Sequence, residues 1–209
     1  MKRSPLGSHP LKPLYAGLLI GLTAAALLGA CANPGPPAQL YQLRAAAPGA
    51  VTAPPQGGAV QVLQLLAVSL PEVLERDAIV VSQGRSGVQA LAGHRWAEPL
   101  RDAVPRLLRH DLALWLALPQ VWTAPLPPGL LAQRQLRVEL LSFQADESRR
   151  QVQLLARWTL SDATGGKPVL TGVHELATPV QGGDVDALVA AHRLALWQLA
   201  EAIVVGLGR

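Results

Sequence analysis

Cys31 is the only cysteine among the 209 residues, so no disulfide can form within the chain. Its neighbours decide what the thiol can do. It follows Leu28-Gly29-Ala30, one apolar residue and two small ones. Small residues let an extended backbone enter a peptidase site, and a thiol can take up a diacylglycerol as a thioether. Free cysteine is among the most buried residue types, but Cys31 lies between an apolar run and a Pro-rich stretch, where no core can form around it. Other candidate chemistry is sparse. His94, His110, His174 and His192 are scattered and share no metal-ligand spacing. His110 and Asp111 are adjacent in a helical pattern and should point apart. No G-x-S-x-G elbow occurs. Gly165-Gly166-Lys167 is not a phosphate loop, since Ser161 stands where the first glycine belongs and Pro168 where Ser or Thr should follow the lysine; it reads as a hairpin turn. The sequence therefore predicts no catalytic residue, no metal site and no cofactor.

The elements that must position Cys31 come before it. Met1–Pro13 carries Lys2, Arg3 and Lys12 and no acid, and Leu14–Leu28 has no charge at all. An apolar run of that length suits the core of a secretory signal and falls short of the ~20 residues needed to span a bilayer. With the cysteine at its end, the segment resembles the lipobox of bacterial lipoproteins. Residues 1–30 are expected to be a removed leader, and 31–58 a lipid anchor and Pro/Ala/Gly-rich tether. Residues 59–209 are expected to be a single domain. Each buried methylene contributes about 0.8 kcal/mol and one chain holds only marginally. Two chains from the diacylglycerol and a third on the new amino terminus should make the anchor permanent. Asn33-Pro34-Gly35-Pro36-Pro37 would hold the domain off the lipid at about 3.1 Å per residue. Ala32, rather than Asp, follows the cysteine; by the sorting rule of enteric bacteria this favours the outer membrane over the inner.

Without the leader, 15 of the 18 basic residues remain against 14 acidic ones. A nucleic-acid surface needs clustered phosphate contacts; no basic run exceeds Arg149-Arg150. Gln39–Leu43, Ala59–Val68, Ile79–Gln83 and Val88–Ala92 read as strands, the last two joined through Gly84-Arg85-Ser86-Gly87 as a hairpin. Pro71–Arg76 reads as one helical turn. Apolar residues repeat at helical spacing over Glu98–Leu118, with Pro99 in the first turn and Pro105 expected to kink the helix or delay its start. Leu136–Leu140, Val152–Leu160 and Val169–Ala177 alternate as strands around short polar turns, which predicts an antiparallel meander. Asp184 should cap a last helix from Val185 to about Val205. The fold class expected is α+β: a mostly antiparallel sheet with two long helices packed on one face.

Five tryptophans stand against one phenylalanine. Trp96, Trp115, Trp158 and Trp197 fall on predicted apolar faces and read as core. Trp122 falls in a Pro-rich loop, where it could touch lipid or a partner. The chain from Tyr41 onward resembles the PqiC family of ABC-type transport auxiliary lipoproteins. The residues that carry this are Tyr41-Gln42-Leu43, then Val68 to Arg76 with Ile79-Val80, then His94-Arg95-Trp96-Ala97-Glu98-Pro99-Leu100, and last Phe143 and Leu155–Leu160. Val73 departs from the family's usual aromatic, and Glu75 stands near its usual Asp. The resemblance implies a non-enzymatic role in lipid traffic between two membranes. The implied partners are an MCE-domain (mammalian cell entry) periplasmic protein and an inner-membrane permease with its ATPase. Pro71, Glu72 and Trp122 are the candidate partner contacts, and the last helix leaves a homo-oligomer open. The alternatives are an envelope enzyme acting on glycans or lipids, which would need a cleft with paired carboxylates or a nucleophile beside a base, and a structural factor that serves envelope integrity without transport.

Overall fold

The computed structural model describes residues 37–51, 62–118, 121–164 and 167–207. Its strands are β1 (Gln39–Tyr41), β2 (Leu63–Ser69), β3 (Ala78–Gln83), β4 (Gly87–Trp96), β5 (Val121–Thr123), β6 (Arg134–Ala145), β7 (Gln151–Asp162) and β8 (Pro168–Pro179). Its helices are α1 (Leu100–Trp115) and α2 (Val185–Leu207), and a single 3₁₀ turn spans Glu72–Leu74.

The α+β class holds, but the sheet is mixed rather than mostly antiparallel. The β6-β7-β8 meander is antiparallel, with Val138 opposite Trp158 and Trp158 opposite Gly172. The β3-β4 hairpin is antiparallel too. Four other pairings are parallel: β1 with β4, β2 with β5, β2 with β6, and β3 with β6. The reason is the connection. Short polar turns can only reverse the chain, whereas the chain between β2 and β5 passes through α1, and a helical crossover returns it to the same end of the sheet. β2 and β3 lie end to end along one edge of β6, β2 beside Arg134–Glu139 and β3 beside Ala145.

Along β7 every second side chain is buried: Val152, Leu154, Ala156, Trp158 and Leu160. They face the helices, and Gln153 and Arg157 face solvent. The helices pack on each other, α2 over β7 and β8 and α1 over β2 and β5. All four tryptophans expected in the core are there. α2 is long and apolar enough to cross a membrane by length and composition, but it serves here as the core helix, mostly buried. Asp184 caps it as expected, accepting a 2.8 Å bond from the Ala187 amide. The core also takes in chain upstream of Ala59: β1 pairs with β4, and Leu43 is fully buried.

α1 departs from its sequence reading in two ways. Pro99 lies just outside the helix as its N-cap. The helix runs unbroken through Pro105, with no delay to its start, because Ala103, Val104, Leu107 and Leu108 are all buried and packing outweighs one missing backbone bond. Its end is a Schellman motif. Ala117 takes the left-handed conformation, φ +51; its amide bonds the Leu114 carbonyl at 3.2 Å and the Leu118 amide that of Ala113 at 3.1 Å.

Candidate functional site

β1 and the residues that follow it are held in the fold from two sides. On one side, the Tyr41 hydroxyl lies 2.9 Å from His94 Nδ1 and donates to Gln39 Oε1 at 2.8 Å. The Ala97 amide donates to the Tyr41 carbonyl at 2.7 Å, and Gln42 Nε2 to Glu98 Oε1 at 3.3 Å. Arg106 closes on the same Glu98 carboxylate. Two of the segments that carry the family resemblance, Tyr41–Leu43 and His94–Leu100, are therefore one structural unit. Their separation in sequence is bridged by the parallel β1-β4 pair.

On the other side, Arg193 of α2 donates from Nε to the Arg44 carbonyl at 2.8 Å. Its two terminal nitrogens grip the Asp111 carboxylate of α1, each at 2.7 Å. Asp111 is 0% exposed and Arg193 5%. A fork-on-carboxylate pair of this kind has each charge satisfied by directed bonds, and the guanidinium also lies 6.0 Å over the Trp197 ring. One buried side chain thus joins α1, α2 and the chain just after β1. His110 Nδ1 lies 3.4 Å from Asp111 Oδ1, so these neighbours meet at the rim of the pair instead of pointing apart.

Below this cluster His192 is buried with its ring edge-on to Trp96 and Phe143. Burial drives its pKa down to about 4, only partly opposed by its bond to the Leu188 carbonyl. The imidazole is neutral at physiological pH and acts as an aromatic core residue.

The sequence candidates do not converge. Cys31 lies outside the described residues. Pro71 and Glu72 start the 3₁₀ turn between β2 and β3, which buried Leu74 pins to the core while Glu72 is exposed. Trp122 is not in a loop but on β5, opposite Gln64 at the start of β2. At about 3.3 Å per residue, it is roughly 20 Å along the strand from Pro71. Trp122 is 36% exposed, and Leu131 after it is 82% exposed. Among the described residues, no group of three or more His, Cys, Asp or Glu side chains could hold a metal ion.

Sequence reading missed Asp111 and Arg193. The signal was there: Asp111 falls four residues after Leu107 and four before Trp115, on the buried stripe of α1, and Arg193 interrupts the otherwise apolar face of α2. Each was a charge at a core position, and charges at core positions need a partner.

No curated protein matches the chain. Two solved structures share the fold. Protein XCC0632 from Xanthomonas campestris is 18% identical, with TM-score 0.68 over 81% of this chain and 94% of its own. An uncharacterized protein is also 18% identical, with TM-score 0.64 over 82% and 99%. The profile of the ABC-type transport auxiliary lipoprotein component matches residues 41–204, which begins at the tyrosine clasped by His94 and ends within the last turns of α2; the chain belongs to this family, the PqiC-type auxiliary lipoproteins of ABC transport systems.

Proposed function

We propose that this protein is the outer-membrane docking subunit of an ABC/MCE-type intermembrane lipid transport system, acylated at Cys31 and non-enzymatic. Its partners are an MCE-domain protein that bridges the periplasm and the inner-membrane permease with its ATPase. The observation that carries the reading is the double clasp on residues 41–44. Family membership supplies the transport context. The bonds from Arg193 to the Arg44 carbonyl and from the Ala97 amide to the Tyr41 carbonyl suit a domain loaded through its N-terminal lipid. A force from the N-terminal lipid would load the β1-β4 pair first, and the Arg193 bond to Arg44, through Asp111, would hold the chain that follows β1 to the helices. Pro71, Glu72 and Trp122 remain the proposed partner contacts, on separate patches.

Two measurements test this. Mass spectrometry of the native protein should find an N-terminal Cys31 carrying three acyl chains; an unmodified thiol or an intact leader refutes the anchor. Affinity capture of the tagged lipoprotein from gentle detergent extracts should bring down an MCE-domain protein, and its consistent absence refutes the docking role.

A further inference from the structure

We propose that the free edge of β8 and the groove beside it take up an extended, basic segment of a partner protein as an added strand. Among the described residues β8 pairs with β7 alone, so twelve residues present an open row of backbone donors and acceptors. Natural edges are usually guarded by short length, by lysines or by inward charges. β8 is long, has no lysine, and carries exposed Val169 and Val173. Prolines stand only at its two ends, Pro168 and Pro179.

Beside this edge, β8 and the last turns of α2 enclose a groove of about 480 Å³, lined among others by His174, Leu176, Glu201, Ala202 and Val205. A strand added to β8 would turn every second side chain into it. The apolar part comes from Leu176, Ala202 and Val205, the last 51% exposed. The polar part selects a cation. Glu201 lines the groove and makes no hydrogen bond or ion pair with any described residue, and no basic residue stands in the last turn of α2 beyond it. Gln198, held by a 2.6 Å bond from Thr178, adds a fixed polar wall. The groove thus sets one carboxylate among apolar side chains, complementary to an alternating strand with one Arg or Lys among aliphatic side chains.

A second copy of this chain fits poorly. Antiparallel pairing of β8 with itself would bring two Glu201 carboxylates and two helix C-termini to one seam. The inference goes beyond the docking role and does not need it, since strand addition would stand even if the partner were not an MCE-domain protein.

The test uses the full-length lipoprotein in detergent and two synthetic decapeptides of alternating Val and Thr, one with a central Arg and one with Glu at that place. Labelled-peptide anisotropy should show the Arg peptide binding at least tenfold more tightly, and hydrogen exchange should show new protection confined to β8. Glu201→Lys should reverse the preference. Ala202→Trp, which fills the groove from the helix side, should abolish binding while leaving the melting temperature within a few degrees. Equal binding of the two peptides, protection elsewhere, or an unchanged preference in Glu201→Lys overturns the proposal. So does β8 protection that rises with protein concentration in the absence of peptide, which would assign the edge to a second copy.

Discussion

Replacing Arg193 by Met leaves Asp111 in a site with no access to water. The carboxylate loses two 2.7 Å charge-assisted bonds, and breaking one side of a buried ion pair costs about 3–5 kcal/mol. The Arg44 carbonyl loses its 2.8 Å donor as well, a further ~1 kcal/mol. Against a total stability of about 5–15 kcal/mol, this is a large fraction. At about 2–4 °C per kcal/mol for a chain of this size, the melting temperature should fall by roughly 10–20 °C. The companion substitution distinguishes a stranded charge from simple loss of packing. Asp111→Leu alone should also destabilise, because it leaves the guanidinium buried without its carboxylate. Asp111→Leu with Arg193→Met should recover most of the loss, since a buried pair replaced by apolar residues is often neutral; the residue should be the ~1 kcal/mol owed to Arg44. Thermal unfolding followed by circular dichroism, run as a double-mutant cycle, measures this. If the two single losses simply add in the double variant, the pair is not coupled and the reasoning fails.

Four further outcomes follow from local geometry. A Cβ built on Gly172 would lie 2.6 Å from the Trp158 ring and one on Gly206 2.7 Å, so Gly172→Ala should destabilise by about 1–3 kcal/mol through overpacking, read by urea unfolding. Gly206→Ala should give less than the ~1 kcal/mol helix gain expected of an open site, or turn unfavourable. The buried His192, with its pKa of about 4 against 6.5 in the unfolded chain, binds its proton more weakly when folded. Its contribution is complete above pH 6.5 and is lost as pH falls toward 4, a change of about 3 kcal/mol; melting temperatures from pH 7 to 4 should fall less in His192→Leu. Ala117→Gly should raise stability by roughly 1 kcal/mol by relieving a left-handed alanine, and a melting curve that drops instead refutes the cap.

The elements that were legible in the sequence are those whose pattern is local. The β6-β7-β8 meander was visible because alternation and short polar turns act within each hairpin, over about thirty residues. α2 was visible because Asp184 and a helical repeat do the same. The parallel pairings were not visible. β1 finds β4, and β2 finds β6, through contacts whose partners lie far apart in sequence, and nothing in Gln39–Tyr41 itself says which strand it will meet. Trp122 was misplaced for a related reason. Its Pro-rich surroundings speak for a loop, but a three-residue strand needs only one neighbour, and β2 supplies it. Pro105 does not interrupt α1 because the buried face of Ala103, Val104, Leu107 and Leu108 holds the helix together, and the propensity of one residue says nothing of that face.

The charged residues show why a candidate site assembled from sequence alone scattered over the surface. Exposed types such as Glu72 and Trp122 stand out as contacts, but Glu72 is fixed by the 3₁₀ turn after β2 and Trp122 by β5 beside the start of β2, so the two sit at opposite ends of β2. Asp111 and Arg193 lie on two different helices, 82 residues apart, and look like lapses in two apolar stripes. Only when the stripes face each other do the lapses meet. An ion pair so placed adds little to net stability over an apolar pair. What an apolar pair could not do is hold the Arg44 carbonyl, and that bond directs the chain from β1 across the helices. On this account the ionic pair is kept for where it sends the N-terminal segment. The apolar double variant should therefore stay folded yet expose residues 44–51 to hydrogen exchange and proteases; continued protection there would refute that role.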